Sequence, residues 1–305
     1  MKKDLLTLED IKKNEIFKVL DLTEKLKKKP IGNQLHGKVF CLFFEKPSTR
    51  TRISFASGIQ QLNGKVVFLD KNVSQLSRGE TIEDTVKVLE RYVDAIIARV
   101  FSHETLETMS KTTDIPIINA LSDLTHPCQI LSDLFTIKER FNEFKDLKLA
   151  YVGDGNNVCN SLLLGCSKVG IDISVGCPKK FQPNTDIIHR AIDYTKISKS
   201  DVEITDDPIK AVKDANIVYN DTFVSMGDEE KGEKRMKIFL PKYQVNRKLL
   251  NLAAPDVVYM HCLPAHRGEE VTYDVIDGPK SIVIDQAENR LHVQKALLVK
   301  MMGKK

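Results

Sequence analysis

The chain has 305 residues, 42% of them hydrophobic, enough for a sizeable core and near the length of two average domains. Its 46 Lys and Arg against 42 Asp and Glu leave a net charge of +4, mixed along the sequence, which argues against nucleic acid or an anionic membrane as the main partner. No apolar run approaches the ~20 residues of a membrane span, the start MKKDLLTLEDIKKNE carries acids among its lysines, and the six cysteines form no CxxC pair, so a soluble cytoplasmic protein with reduced thiols is expected.

In chain order, the β-branched runs VFCLFF (39–44), KVVFL (65–69), DAIIARV (94–100) and IPIINA (115–120) alternate with RISFASGIQQL, IEDTVKVLERY and LETMSKTT. The latter carry apolar residues at helical spacing. A helix from about Pro127 to Phe144 follows, and a domain boundary is expected near Asn142 to Asp146. The pattern restarts with LKLAYVGD (147–154) and runs through DISVGC, VEITD, NIVYND, VVYMHC and SIVID, with helical segments between. Asp207-Pro208 and Leu240-Pro241 read as helix starts, because proline tolerates a first turn whose N–H groups lack partners anyway. The last segment, Glu288 to Met302, reads as a helix. The expected fold class is α/β, with two domains that each hold a central, mainly parallel sheet flanked by helices. The expected limits are 1–144, 145–287, and a C-terminal helix at 288–305 packing back on the first domain.

Chemistry concentrates at strand ends. After the strand VFCLFF come Ser48, Thr49, Arg50, Thr51 and Arg52, a donor-rich turn leading into a helix. A helix N-terminus offers free N–H groups and positive dipole to an anion, and arginine forks match phosphate geometry. At roughly 1.5–3 kcal/mol per charged hydrogen bond, a few such contacts hold a small phosphate compound at micromolar strength. An ordinary capped helix with solvated arginines is the alternative.

Three other clusters follow strand ends: His126-Pro127-Cys128-Gln129; Asp221-Thr222 with Ser225-Met226-Gly227, reading either as a solvated loop or as a mobile lid; and His261-Cys262-Leu263-Pro264-Ala265-His266-Arg267-Gly268. The two histidines of the last run stand five apart around a proline, not at the spacing of a helical zinc pair, so no metal is expected. LKLAYVGDGNNV begins like a dinucleotide fingerprint, but Gly153-Asp154-Gly155 is followed by Asn156-Asn157-Val158 without a third glycine. A nicotinamide dehydrogenase is therefore disfavoured, and a non-catalytic phosphate-binding module would leave the other clusters idle.

Taken together, FEKPSTRTR, HPCQ, DGNN, DTFVSMG and HCLPAHRGEEV resemble the aspartate/ornithine carbamoyltransferase family, in that family's order and along essentially the entire chain. STRT is shared with the aspartate branch, whereas SMG, HCLP and the cysteine of HPCQ mark the ornithine branch. The resemblance implies two α/β domains joined by two helices, with the active site in the cleft and at a subunit boundary of a homotrimer or an assembly of trimers. It implies transfer of a carbamoyl group from carbamoyl phosphate to the side-chain amine of L-ornithine in arginine biosynthesis, with a related amine such as putrescine as the alternative acceptor. No cofactor is implied.

By match to the family's motifs, Ser48, Thr49, Arg50 and Thr51 would hold the phosphate, with Arg52 supporting them. Arg99 and His126 would polarise the carbamoyl oxygen, and Gln129 would bind the carbamoyl nitrogen. Gln75 would reach a neighbouring subunit's site. Asn157, Asp221, Ser225 and Met226 would take the amino-acid end of ornithine. Cys262 and Leu263 would lie beside the reacting amine and the carbamoyl group, and Arg290 would close the pocket near the transferred group, all three counting among the carbamoyl phosphate contacts. Thr51, Arg99, His126 and Cys262 form the implied catalytic set.

Overall fold

The computed structural model describes residues 3–224 and 232–303. The chain divides into two compact units, one of Met1–Phe135 with Glu288–Lys305 and one of Thr136–Ala287. Both crossings fall inside helices, Pro127–Phe141 and Val283–Met302.

The first unit holds strands β1 (Val39–Phe44), β2 (Lys65–Asp70), β3 (Ala95–Arg99) and β4 (Ile117–Leu121), paired in parallel in the order β2-β1-β3-β4. The inner strands are apolar nearly throughout, as a parallel sheet covered by helices on both faces requires. Each fully buried Leu, Ile or Phe in them contributes about 1.5–3 kcal/mol. Edge strand β2 is largely exposed instead. The second unit holds β5 (Lys148–Val152), β6 (Asp172–Gly176), β7 (Val202–Thr205), β8 (Ile217–Asn220) and β9 (Val258–His261), parallel in the order β7-β6-β5-β8-β9. Its core joins Val152, Val218, Phe223, Phe239, Tyr259 and Val275.

Strand order reverses once in each sheet. From β1 the chain goes outward to β2 and then returns to the other side at β3; from β5 it goes to β6 and β7 and then returns at β8. Connecting segments leave opposite faces at these points and open a crevice beyond the carboxyl ends of the strands, where ligands bind in open α/β sheets. The STRTR turn leaves β1, and Arg99 ends β3. The DGNN turn leaves β5, and Asp221 follows β8. All four therefore flank the two reversals.

Three sequence expectations are corrected. SIVID is not a strand: Ser281 makes a single parallel bridge to Tyr259, and the helix Val283–Met302 begins directly after it. A short β-branched run cannot be told from a buried helix start by periodicity, and Val283 is buried while Ile284 faces solvent. Leu240-Pro241 does not open a helix but follows the end of one, Gly232–Phe239, where proline cannot extend the preceding turn. Asp207 behaves as expected, accepting from the Ile209 N–H at the start of the helix Pro208–Val212. The helix from Pro127 stops at Phe141, because Asn142 adopts a left-handed conformation (φ 67°).

Candidate active site

In the first unit, β1 delivers the chain to Ser48, whose extended backbone and Oγ cap the helix Thr49–Gln61 by accepting from the Thr51 N–H at 3.3 Å. Thr51 is buried, and its Oγ1 accepts from Arg290 Nη2 at 2.7 Å. That bond fixes the hydroxyl's direction, since an oxygen that accepts from a guanidinium keeps its own proton to donate elsewhere. Arg99, His126, Gln129 and Arg290 are all buried in the same unit. Gln129 Nε2 donates to Asp133 Oδ1 at 2.9 Å, which turns its carbonyl oxygen away from that carboxylate. Burial holds His126 well below the usual imidazole range, and the charges of Arg290 and then Arg99 push it the same way. The ring is therefore neutral at physiological pH, a form that can donate a hydrogen bond without carrying charge.

Glu45 is a residue the sequence reading did not single out. Its buried carboxylate accepts from the Phe101 N–H at 2.8 Å and pairs with Lys71 Nζ at 3.0 Å, while its N–H donates to the Arg99 carbonyl at 2.9 Å. It thereby pins the end of β1 to the end of β3. Arg52 stacks over Phe44 and Phe68, at 5.4 and 5.0 Å from the ring centroids, and so braces the turn. Gln75 is exposed, in the short turn Gln75–Arg78 that follows β2.

In the second unit the DGNN turn is built on backbone freedom. Gly153 has φ 140°, and a Cβ at Gly155 would lie 2.3 Å from the Pro183 nitrogen and 2.6 Å from the Phe181 oxygen. Asn156 then caps the helix Asn157–Val169, accepting from the Val158 and Cys159 N–H groups. Its Nδ2 donates to Asp221 Oδ2 at 2.8 Å. The other oxygen of Asp221 accepts from the Thr222 N–H at 2.8 Å and from Cys262 Sγ at 3.1 Å. Asn157, at the first helical position, shares this corner. Ser225 and Met226, expected beside it, lie outside the described residues.

Cys262 and Leu263 sit on a turn held in a costly shape. Leu263 has φ 58°, a left-handed conformation worth ~1–2 kcal/mol of strain for a residue with a side chain. Its N–H donates to His261 Nδ1 at 2.9 Å, so the His261 proton resides on Nε2, 3.2 Å from Glu270 Oε1 inside the core. Gln286 Oε1 in turn accepts from the His261 N–H. Among the described residues, two groups each gather three possible metal-ligating atoms within 4.8 Å of one another: Asp221 with His261 and Cys262, and His266 with Glu269 and Glu270. Hydrogen bonds account for the first of these, as just described, and Glu270 Oε1 also accepts from the His266 N–H at 2.6 Å.

Comparison with known proteins bears on both units. Residues 3–139 match the aspartate/ornithine carbamoyltransferase carbamoyl-P binding domain, and residues 145–301 match the Asp/Orn binding domain of the same family. An ornithine carbamoyltransferase of Bacillus subtilis is 52% identical over 302 residues, covering 99% of this chain and 94% of that protein. An anabolic ornithine carbamoyltransferase of Pyrococcus furiosus is 48% identical, covering 99% and 96%. Among solved structures, ornithine carbamoyltransferase from Pyrococcus furiosus superimposes with a TM-score of 0.95 at 48% identity, covering 99% of this chain and 98% of that one. The enzyme from Gloeobacter violaceus gives 0.91 at 44% identity, covering 99% of each chain.

Proposed function

This chain belongs to the aspartate/ornithine carbamoyltransferase family, and from that membership we infer that it transfers the carbamoyl group of carbamoyl phosphate to the side-chain amine of L-ornithine, giving L-citrulline and phosphate. The observation that carries this reading is identity near one half, over nearly the full length of each chain, to ornithine carbamoyltransferases. A putrescine acceptor is not favoured, because the relatives are named for ornithine.

The chemistry requires a neutral amine to attack a carbonyl whose leaving group is phosphate. An amine with a pKa of about 10.4 is neutral in roughly one molecule per thousand near pH 7.4, a selection costing about 4 kcal/mol. A carboxylate beside that amine would raise its pKa, so Asp221 is assigned with Asn157 to the amino-acid end, and Cys262 and Leu263 to the flank of the attacking nitrogen. Ser225 and Met226 complete this set by motif. In the first unit, Ser48, Thr49, Arg50 and the helix N-terminus take the phosphate. The hydroxyl of Thr51, aimed by Arg290, joins Arg99 and neutral His126 as donors to the carbamoyl oxygen, where negative charge grows as the amine adds. The Gln129 carbonyl receives the carbamoyl NH2. As the tetrahedral adduct collapses, the C–O bond to phosphate breaks, a proton of the attacking nitrogen passes to the leaving phosphate, and the arginines stabilise the departing hydrogen phosphate dianion. Holding the two reactants in line supplies a further ~7–11 kcal/mol of the barrier reduction.

We further propose a homotrimer, or an assembly of trimers, in which Gln75 serves a neighbouring copy. Its exposure on the segment after β2 supports that role, as do exposed Ile53, Phe68 and Val73 nearby. A biosynthetic role in the cytoplasm fits the anabolic designation of the Pyrococcus relative and six cysteines that form no disulfide with one another. Among the described residues no helix is long and apolar enough to cross a membrane. The decisive assay compares citrulline-type product formation from ornithine, putrescine, acetylornithine and aspartate with carbamoyl phosphate. Ornithine should exceed the others in kcat/KM by orders of magnitude; a preference for any other acceptor overturns the reading.

A further inference from the structure

We propose that Arg235 is a positioning residue for the amine half of the reaction, a clamp that holds the turn after β5 and the turn after β8 in one fixed relation. The inference rests on the assignment above of Asn157 and Asp221 to ornithine. Arg235 projects from the helix Gly232–Phe239. Its Nη2 pairs with Asp154 Oδ2, two residues before Asn156, and its Nε donates at 2.6 Å to the carbonyl of Phe223, two residues after Asp221. One guanidinium thus bonds both segments that carry the proposed ornithine contacts. The two segments are also joined directly by the bond from Asn156 Nδ2 to Asp221 Oδ2, and Asp221 leads on to Cys262 Sγ. Polar contacts therefore tie Arg235 to both turns, and the Asn156–Asp221 pair carries them on to the thiol assigned beside the attacking nitrogen.

The surroundings make this a built feature rather than a surface ion pair. The side chains of Arg235 and Asp154 are only 11% and 13% exposed. The guanidinium lies 4.6 Å from the centroid of Phe181 and 5.6 Å from that of Phe239, and Phe239 stacks on Phe223 at 4.6 Å. Phe181 is the residue whose carbonyl accepts the Gly155 N–H at 2.8 Å, so the aromatic neighbours belong to the same turn. A planar fork can stack and bond in two directions at once; an ammonium cannot. Neither Asp154 nor Arg235 is assigned a contact with substrate, so the effect is on where Asn157 and Asp221 stand. Displacement of a binding group by about 1 Å costs up to ~10²-fold in rate or affinity.

The test is steady-state kinetics of R235Q, R235K and D154N beside the wild type, with both substrates varied and thermal melts recorded. The expected result is an ornithine KM raised about 10- to 100-fold in R235Q and D154N, a carbamoyl phosphate KM within about twofold of wild type, and R235K between. If R235Q does not fold, R235K and D154N still decide the matter. An unchanged ornithine KM with a lowered melting temperature would make the clamp structural only and overturn the proposal, as would an equal rise in both KM values. A wild type that makes no citrulline would instead overturn the functional assignment and this inference with it.

Discussion

At the scale of single residues, the two ends of the reaction make different demands, and the side chains answer them differently. Thr51 is buried and its hydroxyl oxygen accepts from Arg290, so its own proton is turned away from the guanidinium and, in the proposed site, would meet the developing charge. Removing one such oriented donor costs about 10²–10³ in kcat. Thr51→Ala should therefore lose activity on that scale in the citrulline assay with a smaller change in ornithine KM; a variant within threefold of wild type would remove Thr51 from the catalytic set. His126 carries a second expectation. Its folded pKa is depressed below 6.5 by burial, then by Arg290 and Arg99, and burial likewise depresses His103 and His292. Below pH 6.5 the unfolded chain takes up protons that the folded chain refuses, so stability present at pH 7 is lost as pH falls. Each such histidine contributes at most about 1.4 kcal/mol per pH unit. Urea midpoints should fall between pH 7 and pH 5.5, and His126→Gln should flatten part of that slope. A slope unchanged in that variant would show that His126 does not titrate differently on unfolding.

At the scale of elements, the turn after β5 shows how sequence becomes geometry. Gly155 has no room for a side chain, with backbone atoms of Gln182 and Pro183 within 2.4 Å of where a Cβ would stand. Backbone cannot swing aside as a flexible side chain does. Gly155→Ala should cost about 1–3 kcal/mol, read as a lowered melting temperature, and should raise ornithine KM because Asn156 and Asn157 follow directly. An equally stable variant with wild-type ornithine KM would mean the turn yields without disturbing the helix start. The strands were legible because parallel, doubly covered strands are written as short apolar runs bounded by polar turns: VFCLFF, LKLAYV and NIVYN all became strands. SIVID carries the same letters, yet its second half is the first turn of a helix, and only the one-sided burial of Val283 against Ile284 separates the two cases. Asp207-Pro208 and Leu240-Pro241 likewise look alike in sequence. The aspartate gives the first an N-cap oxygen, which leucine cannot supply. Glu45, Asn156 and Arg235 stayed hidden for another reason. Their partners Lys71, Asp221 and Asp154 are 26, 65 and 81 residues distant in the chain. No local pattern announces such pairs.

At the scale of the whole molecule, each unit repeats one device: a parallel sheet whose strand order reverses once, with the proposed site residues at the strand ends beside the reversal. In the first unit the same sheet also carries an exposed edge. Edge strand β2 leaves one side of its backbone without a neighbouring strand, and Phe68 on it is 50% exposed. Val73, just beyond β2, is 86% exposed, and Ile53 on the adjoining helix is 58% exposed. Edges of this kind are normally blunted by charge, by proline or by a covering element. Each large apolar side chain covered by a second copy would add about 1.5–3 kcal/mol to association. Arg52, stacked on Phe68, ties this surface to the turn proposed to hold the phosphate, so covering it would steady that turn as well. Phe68→Glu places a charge where the proposed neighbour would sit. Sedimentation should then show a species near the 34.5 kDa chain mass in place of one three times as heavy, with activity reduced because Gln75 no longer reaches another copy. A variant that sediments as wild type would move the subunit contact away from β2, and a wild type that is itself monomeric would end the proposal that Gln75 acts across a boundary.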